Sequence, residues 1–243
     1  MNTKTEVLGC KTDIIAPKYA IEMAKNALDN GKNFQIVTIN PEMIMYAQKH
    51  KDFQDILNNS DLNIIDAVGV RIALLFQGIS CHRIRGVDFA RSLINFANEN
   101  ALAIGFLGAK EDVIQKTKEK LNQEYPDLNI VYLRNGYFDN EDEIIEEIKQ
   151  SAPRVLLVGL GSPKQELIIQ KLKETLNSCV MIGVGGSFDV LSGYTKESPV
   201  IFRKLGLEWL YRTLMQPERI KRIFPTLPIF LIKCIISSIK KGK

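Results

Sequence analysis

Residues that bind metals or form disulfides are scarce in this chain. It has two histidines among 243 residues, His50 and His82, and neither lies in a recognisable ligand motif. Its four cysteines are scattered without the spacing of a metal site: Cys10, Cys81, Cys179 and Cys234. We therefore expect no metal and no cofactor, and reduced thiols in a cytoplasmic protein.

A hydrophobic run long enough to cross a membrane is also lacking. The N-terminus has no apolar leader, so we expect no secretion. A strongly apolar stretch, residues 224–239, contains Lys233 and is shorter than the ~20 apolar residues of a membrane span. Apolar bulk with lysines beside it favours a segment lying in the interface of an anionic membrane. The alternative is a C-terminal helix packed on the body or in an oligomer.

Charge is divided unevenly along the chain. Residues 203–243 carry ten Lys or Arg and two acids, a net charge of +8, whereas residues 1–202 carry 22 basic and 26 acidic residues, a net charge of −4. Basic tails bind anionic surfaces, either nucleic acid or membrane. Because the basic and aromatic residues form no known nucleic-acid module, we expect a membrane-associating appendage, residues 203–243, on a core of residues 1–202, and no nucleic-acid partner.

Apolar strands alternate with amphipathic helices through the core. The predicted strands are Phe34–Ile39, Leu62–Ile65, Ala103–Leu107, Ile130–Leu133, Val155–Gly159 and Val180–Gly183. The predicted helices are Pro17–Asn30, Pro41–Lys49, Val68–Gln77, Asp88–Asn100, Lys110–Glu124, Glu141–Gln150 and Pro163–Leu176. The alternation predicts an α/β fold with a doubly wound, mostly parallel sheet and helices on both faces, followed by a basic amphipathic helical C-terminal appendage.

Two apolar runs end in glycines followed by polar residues: Val155–Glu166 (VLLVGLGSPKQE) and Val180–Asp189 (VMIGVGGSFD). This pattern is typical of a buried parallel strand that ends in a tight turn over a ligand. Glycine allows the backbone to approach a phosphate closely, and a helix opening after the first run would direct free N–H groups at an anion. We therefore expect a nucleotide to bind near Gly161, Gly185 and Gly186.

A dinucleotide-binding fingerprint is the competing interpretation of the first run. Gly159 and Gly161 match its first two glycines, but Lys164 replaces the third. The match also lies late in the chain, whereas the fingerprint normally opens the fold. The sequence therefore disfavours a Rossmann oxidoreductase, and it contains no Walker A pattern.

Polar residues follow the predicted strands at the edge where open α/β sheets bind ligands. Asp66 comes directly after its strand and is a candidate general base, or alternatively a helix cap or a ribose ligand. Thr38 and Asn40 could bond a sugar or Asp66, and Asn40 also fits a helix N-cap. Gln165, in the first turn after the glycine loop, could face the same crevice.

A basic turn, Arg83-Ile84-Arg85, enters the next predicted helix. Arg83 or Arg85 could bind a diphosphate, although a surface position is the commoner fate of such a residue. Asp88 is interpreted as the N-cap of that helix. Asp189 is a candidate acceptor for a ribose or base, or the cap of the following turn.

These motifs resemble those of the WecG/TagA/CpsF glycosyltransferases (glycosyltransferase family 26). They run in family order across nearly the whole chain: Val37–Pro41, Asp66 with Gly69, Arg83–Asp88, Gly136–Phe138, Val158–Glu166, Gly183–Asp189 and Gly206–Arg212. The segments GLGSPKQE and GLEWLYR together are highly specific. The resemblance is stronger evidence for function than the spacing of any single set of residues.

The resemblance implies an inverting, metal-independent transferase. It would move N-acetylmannosamine from UDP-N-acetylmannosamine to undecaprenyl-diphospho-N-acetylglucosamine, forming a β1,4-linked disaccharide in wall teichoic acid synthesis. Asp66 would be the catalytic base, with Thr38, Asn40 and Gln165 in the sugar pocket. Arg83 matches a position around the acceptor and nucleotide sites.

The resemblance also assigns roles to the appendage. Its arginines Arg212, Arg219 and Arg222 match functional arginines of the family. The appendage is expected to fold over the pocket at the inner face of the cell membrane, where the enzyme would be peripheral. Self-association into a homo-oligomer away from the membrane is a further expectation.

Two residues depart from the family pattern. Ala67 stands where the family usually has glycine, and an alanine in a left-handed turn would cost about 1 kcal/mol. Glu197 stands where the family has arginine, which reverses a charge close to a site for anions. Two alternatives stay open: a sister transferase that uses another UDP-sugar for capsule or another surface polysaccharide, and a non-catalytic, nucleotide-sensing membrane adaptor.

Overall fold

A computed structural model describes residues 2–205, 207–215 and 220–241, with the backbone alone at 203–205, 209, 212, 215, 220–224, 240 and 241. The strands are β1 (Thr3–Val7), β2 (Cys10–Ile14), β3 (Phe34–Ile39), β4 (Leu62–Ile65), β5 (Ile104–Gly108), β6 (Ile130–Arg134), β7 (Val155–Gly159) and β8 (Val180–Gly183). The helices are α1 (Pro17–Asp29), α2 (Pro41–Ala47), α3 (Lys51–Asn59), α4 (Val68–Leu75), α5 (Gly86–Glu99), α6 (Glu111–Glu124), α7 (Glu141–Ser151), α8 (Lys164–Thr175), α9 (Ser187–Leu191), α10 (Val200–Leu205), α11 (Glu208–Met215) and α12 (Ile220–Lys241).

The strands form one sheet in the order β1-β2-β4-β3-β8-β7-β5-β6. β1 and β2 form an antiparallel hairpin, and the other neighbouring strands pair in parallel. The chain passes from β3 outward to β4, and it returns from the far side of the sheet through β7 to β8. The winding therefore reverses between β3 and β8, which places a ligand crevice at their carboxyl ends.

Helices cover both faces of the sheet. Ile36 belongs to a core with α1, α5 and α6, whereas the next residue, Val37, belongs to a core with α2, α3, α4 and α12. Val158 lies in a third core, beneath α7 and α8. Because successive side chains of a strand point to opposite faces, this division confirms the doubly wound α/β fold. The four cysteines are buried and free of disulfides.

All six strands predicted from the sequence are confirmed, four with the predicted bounds and two within one residue. The prediction missed the hairpin β1–β2, the helix α3 and the short helices α9 and α10. The strand β1 reads TKTEV, with one apolar residue, so it has no hydrophobic alternation to detect. The helix α3 buries only Phe53 and Leu57. Pairing with β2 stabilises β1, whereas α3 has the apolar spacing of a helix, Phe53, Ile56 and Leu57, which the prediction overlooked.

The C-terminal helix α12 packs on the body of the protein. Phe230 and Cys234 are buried in the core shared with α2 and α4. A Cβ built on Gly69 of α4 would lie 2.7 Å from Cγ of Pro41 and 2.9 Å from Cδ1 of Leu227, so glycine permits the close approach of three helices. Isoleucines of α12 are exposed on its other side: Ile229, Ile232, Ile235, Ile236 and Ile239. Within the described ranges, no helix has the length and hydropathy of a membrane span.

Candidate functional site

Asp66 lies at the carboxyl end of β4 and is held on three sides. Its Oδ1 accepts a hydrogen bond from the backbone N–H of Gly86 at 2.9 Å. Its carbonyl oxygen accepts from Nε of Arg83, and its own N–H donates to the carbonyl of Ile39. The carboxylate of the predicted base therefore has a fixed position at the ligand-binding edge of the sheet.

Gly86 begins helix α5, so its N–H is one of the donors that a helix leaves free at its N-terminus. A Cβ on Gly86 would lie 3.2 Å from Cγ2 of Thr38 and 3.8 Å from Cγ of Asp66, which makes this a tight position. The prediction that Asp88 is the N-cap is wrong, because the helix starts two residues earlier. Asp88 lies in the first turn instead, and its carboxylate accepts from Nη1 of Arg85 at 3.0 Å.

Thr38 and Asn40 hold the neighbouring strand end. The hydroxyl of Thr38 is buried and donates to the carbonyl of Gly183 at 2.9 Å, which joins β3 to β8. Oδ1 of Asn40 accepts from the N–H of Met43 at 3.0 Å, so the interpretation of Asn40 as the N-cap of α2 is confirmed.

Ala67 has an extended backbone, with φ −93° and ψ 139°. The left-handed turn considered in the sequence analysis is absent at this residue, and alanine carries no strain here. The departure from the family glycine therefore leaves the local geometry intact.

Gln165 and Glu166 form a buried pair beneath the loop that follows β8. Oε1 of Gln165 accepts from the N–H of Gly185 at 3.0 Å, and its Nε2 donates to Oε1 of Glu166 at 2.6 Å. A Cβ on Gly183 would lie 2.5 Å from Nε2 of Gln165, so the pair occupies the space that a larger residue would need. Burial raises the pKa of the Glu166 carboxyl, and the hydrogen bond from Gln165 opposes that rise.

A cavity of about 550 Å³ lies at the carboxyl ends of β5, β6 and β7. Its lining is Ala109, Gly136, Tyr137, Phe138, Asp139, Gly159, Leu160 and Lys164. Nζ of Lys164 lies 4.0 Å from the centre of the Phe138 ring, and the Tyr137 side chain is 71% exposed. Sequence reasoning gave these residues no role, although the segment Gly136–Phe138 was among the matching motifs.

The cavity adjoins the glycine loop after β8. A Cβ on Gly159 would lie 2.8 Å from the carbonyl oxygen of Gly185, and Gly161 adopts a φ of +77° just beyond β7. Gly186 precedes the short helix α9, which contains Asp189 in its first turn. The predicted nucleotide-binding glycines and Asp189 therefore lie toward the cavity, near the ends of β7 and β8. Asp66 lies on the opposite side of the crevice, at the end of β4.

Three arginines and two glutamates form an ion-pair network next to Asp66. Glu208, from α11, pairs with Arg83 and with Nε of Arg85 at 2.6 Å. Glu197 pairs with Nη2 of Arg91 at 2.6 Å and with Nη2 of Arg85 at 3.7 Å. Glu197 thus replaces the family arginine at a position where two arginines of this chain bind the carboxylate.

Of the appendage arginines, Arg219 lies outside the described residues. Arg212 lies on α11 and Arg222 on α12, but their side chains lie outside the description as well. In the described part of the chain, no three His, Cys, Asp or Glu residues are grouped so that they could hold a metal ion.

Comparison with known proteins identifies relatives along the whole chain. The family model described as the glycosyl transferase WecG/TagA/CpsF family matches residues 5–243. The chain is 35% identical over 246 residues to the N-acetylglucosaminyldiphosphoundecaprenol N-acetyl-beta-D-mannosaminyltransferases of Staphylococcus aureus strains MW2 and NCTC 8325, covering 99% of this chain and 96% of each relative. The similarly named protein of strain MRSA252 is 34% identical with the same coverage.

Proposed function

The chain belongs to the WecG/TagA/CpsF family of glycosyltransferases, and from this premise we propose that it transfers N-acetylmannosamine from UDP-N-acetylmannosamine to a lipid-linked N-acetylglucosamine. The acceptor would be undecaprenyl-diphospho-N-acetylglucosamine, and the product a β1,4-linked disaccharide of the wall teichoic acid linkage unit. The observation that carries the proposal is the 35% identity over 99% of the chain to a transferase named for this acceptor and sugar.

Asp66 is the general base in this proposal. It takes the proton from the 4-hydroxyl of the acceptor sugar while that oxygen forms a bond to the anomeric carbon of the donor. The bond from the anomeric carbon to UDP breaks on the opposite face, and the configuration inverts. The hydrogen bond from Gly86 keeps the carboxylate oriented through this displacement.

The donor nucleotide would occupy the crevice between the cavity and Asp66. In the strand order β4-β3-β8-β7, three strand spacings separate Asp66 from Gly159, a span of about 14 Å. That is the length scale of an extended UDP-sugar. Lys164 and the loop Gly185-Gly186 then lie near the nucleotide, and the sugar lies near Thr38 and Gln165.

The leaving group develops negative charge on its diphosphate. Without a metal ion, arginine side chains are the natural groups to stabilise that charge. Arg212, Arg219 and Arg222 of the appendage would supply them, with Arg83 at the edge of the sugar pocket. This assignment rests on the family resemblance.

A peripheral position at the inner face of the cell membrane completes the proposal. The exposed isoleucines of α12 offer an apolar surface opposite the face that packs on α2 and α4. Lys233 lies exposed on the same helix, and Lys240, Lys241 and Lys243 add positive charge at its end. Apolar surface flanked by lysine suits an anionic membrane, where the lipid-linked acceptor resides.

A donor panel tests the proposed function. The full chain is mixed with a short-chain lipid-linked N-acetylglucosamine and, in separate reactions, UDP-N-acetylmannosamine, UDP-N-acetylglucosamine and UDP-glucose. We expect transfer from UDP-N-acetylmannosamine alone, a β1,4 linkage by NMR, and an unchanged rate with EDTA. Turnover with a different UDP-sugar would identify the sister transferase. Binding of UDP-sugars without any turnover would identify the nucleotide-sensing adaptor.

A further inference from the structure

The carboxylate of Glu208 connects the C-terminal appendage to the segment that holds Asp66. Glu208 is the first residue of α11, and it pairs with two arginines of the loop between α4 and α5. One of its oxygens contacts Nη2 of Arg83, and the other lies 2.6 Å from Nε of Arg85. The two guanidinium groups therefore share one carboxylate from a helix that is more than 120 residues away in sequence.

Burial distinguishes this contact from an ordinary surface ion pair. The side chain of Glu208 is 8% exposed, and those of Arg83 and Arg85 are 16% and 14% exposed. Removing one partner of a buried pair leaves an uncompensated charge, whereas an exposed pair contributes little. Loss of one partner should therefore destabilise the contact between α11 and this loop.

Arg83 carries the connection from Glu208 to the predicted base. Its Nε donates to the carbonyl oxygen of Asp66 while its Nη2 contacts Glu208. The first residue of α5, directly after this loop, supplies the Gly86 N–H that binds Oδ1 of Asp66. One guanidinium thus bonds the appendage and the backbone of Asp66 at the same time.

The position of α11 also sets the position of Arg212, which follows Glu208 by four residues, about one helical turn. We propose that Glu208 is a positioning residue for transfer: by binding Arg83 and Arg85 it holds α11 against the segment Arg83–Gly86, and it fixes Asp66 relative to the backbone at Arg212. The proposal deepens the proposed function and rests on it for its kinetic readout.

The decisive variant is Glu208→Gln, which removes the charge and preserves the shape. We expect its kcat for transfer to fall about tenfold or more, with KM for UDP-N-acetylmannosamine within about twofold of the unmodified protein, because the ground-state donor site on the α/β body is unaltered. We also expect the amides of residues 207–215 to lose protection from hydrogen exchange. Because a smaller folded fraction would also lower the apparent kcat without changing KM, kcat is calculated per folded molecule, with the folded fraction measured by circular dichroism.

Glu197→Gln is the matched control. Glu197 also pairs with Arg85, but at 3.7 Å, and its main partner is the more exposed Arg91. We expect Glu197→Gln to keep kcat within about twofold and to keep the protection of residues 207–215. Arg85→Gln provides a second route: its effect and that of Glu208→Gln should be non-additive in the double variant, since both break the same contact.

Three results would overturn the proposal. The first is a Glu208→Gln variant with unchanged kcat and unchanged protection of residues 207–215. The second is a higher kcat, which would mean that Glu208 competes with the substrate diphosphate for Arg83. The third is additivity of the two variants. If no UDP-sugar supports transfer by the unmodified protein, the proposed function fails, and the exchange comparison alone decides: lost protection in Glu208→Gln but not in Glu197→Gln supports the docking role.

Discussion

The backbone N–H of Gly86 donates to Oδ1 of Asp66 across 2.9 Å, so the first turn of α5 holds a carboxylate at the end of β4. A helix N-terminus stabilises negative charge, and this one has a carboxylate as its partner within the fold. The second oxygen of that carboxylate is the group that the proposed mechanism uses as base.

Asp66→Asn separates the structural from the chemical role of this residue. Asparagine retains an Oδ1 that accepts from Gly86, but it cannot take a proton from the acceptor sugar. We expect transfer to fall by roughly 10²–10⁴ while the unfolding midpoint and UDP affinity stay unchanged. Initial rates, thermal unfolding and calorimetry measure these quantities. Asp55→Asn, an exposed acid on α3, is the control. An Asp66→Asn variant with ordinary turnover would remove Asp66 from the mechanism.

Gly86→Ala tests the tightness of the same contact. The added methyl would lie 3.2 Å from Cγ2 of Thr38, so Thr38 or the start of α5 must shift by a few tenths of an ångström. Because such a shift misaligns the base, we expect kcat to fall roughly tenfold to a hundredfold in a folded protein. Asn95→Ala on the exposed face of α5 should leave kcat unchanged. Equal rates for both variants would show that the contact tolerates a methyl group.

Glu166→Gln should change the pH dependence of stability. Burial raises the pKa of Glu166 above its value in the unfolded chain. The neutral Glu166 side chain therefore makes its full contribution to the free energy of unfolding below the unfolded pKa of about 4.3. That contribution is lost as pH rises through the folded pKa. Since glutamine does not ionise, the free energy of unfolding of the variant should rise relative to that of the unmodified protein as pH increases above about 4, until the folded pKa has been passed. Denaturant titrations across that range measure the difference.

Glu146→Gln is the control with the opposite sign. Glu146 is exposed, and its hydrogen bond with Gln150 and the charge of Lys149 lower its pKa. The small contribution of Glu146 to the free energy of unfolding is present above its unfolded pKa and is lost on acidification. The free energy of unfolding of Glu146→Gln should therefore fall slightly, relative to that of the unmodified protein, as pH rises. A parallel pH course for the two variants would contradict the assignment of Glu166 as a buried acid.

Phe230→Ala and Ile232→Ala distinguish the two faces of α12. Phe230 is fully buried in the core that α12 shares with α2 and α4, whereas Ile232 is 57% exposed. We expect Phe230→Ala to lower the free energy of unfolding by about 3–5 kcal/mol, and Ile232→Ala to change it by less than about 0.5 kcal/mol. In flotation with anionic vesicles, Ile232→Ala should bind less than the unmodified protein at equal salt. Unaltered flotation of Ile232→Ala would argue against membrane contact through this face.

Local sequence pattern was sufficient to predict secondary structure where hydrophobic periodicity is strong. The six parallel strands were predicted because each is a short, β-branched or leucine-rich run between polar segments, and the cap at Asn40 was predicted because Asn-Pro fits a helix start. The start of α5 was misplaced because Arg85 and Gly86 carry no capping signal, and Asp88 does. The contact of Glu208 with Arg83 could not be predicted, since 125 residues separate them and either could have been an exposed charge.

Neighbouring residues and their periodicity are enough to specify the α/β class, the order of the strands along the chain, the glycine-rich strand ends and the uneven charge. The family motifs can likewise be read from the residues alone. Folding in three dimensions establishes which strand ends are adjacent, that Gly86 and Arg83 hold Asp66, that Glu197 and Glu208 share Arg85, and that one face of α12 is buried. These depend on pairing between distant segments, which is set by the packing of the whole chain and leaves no local trace.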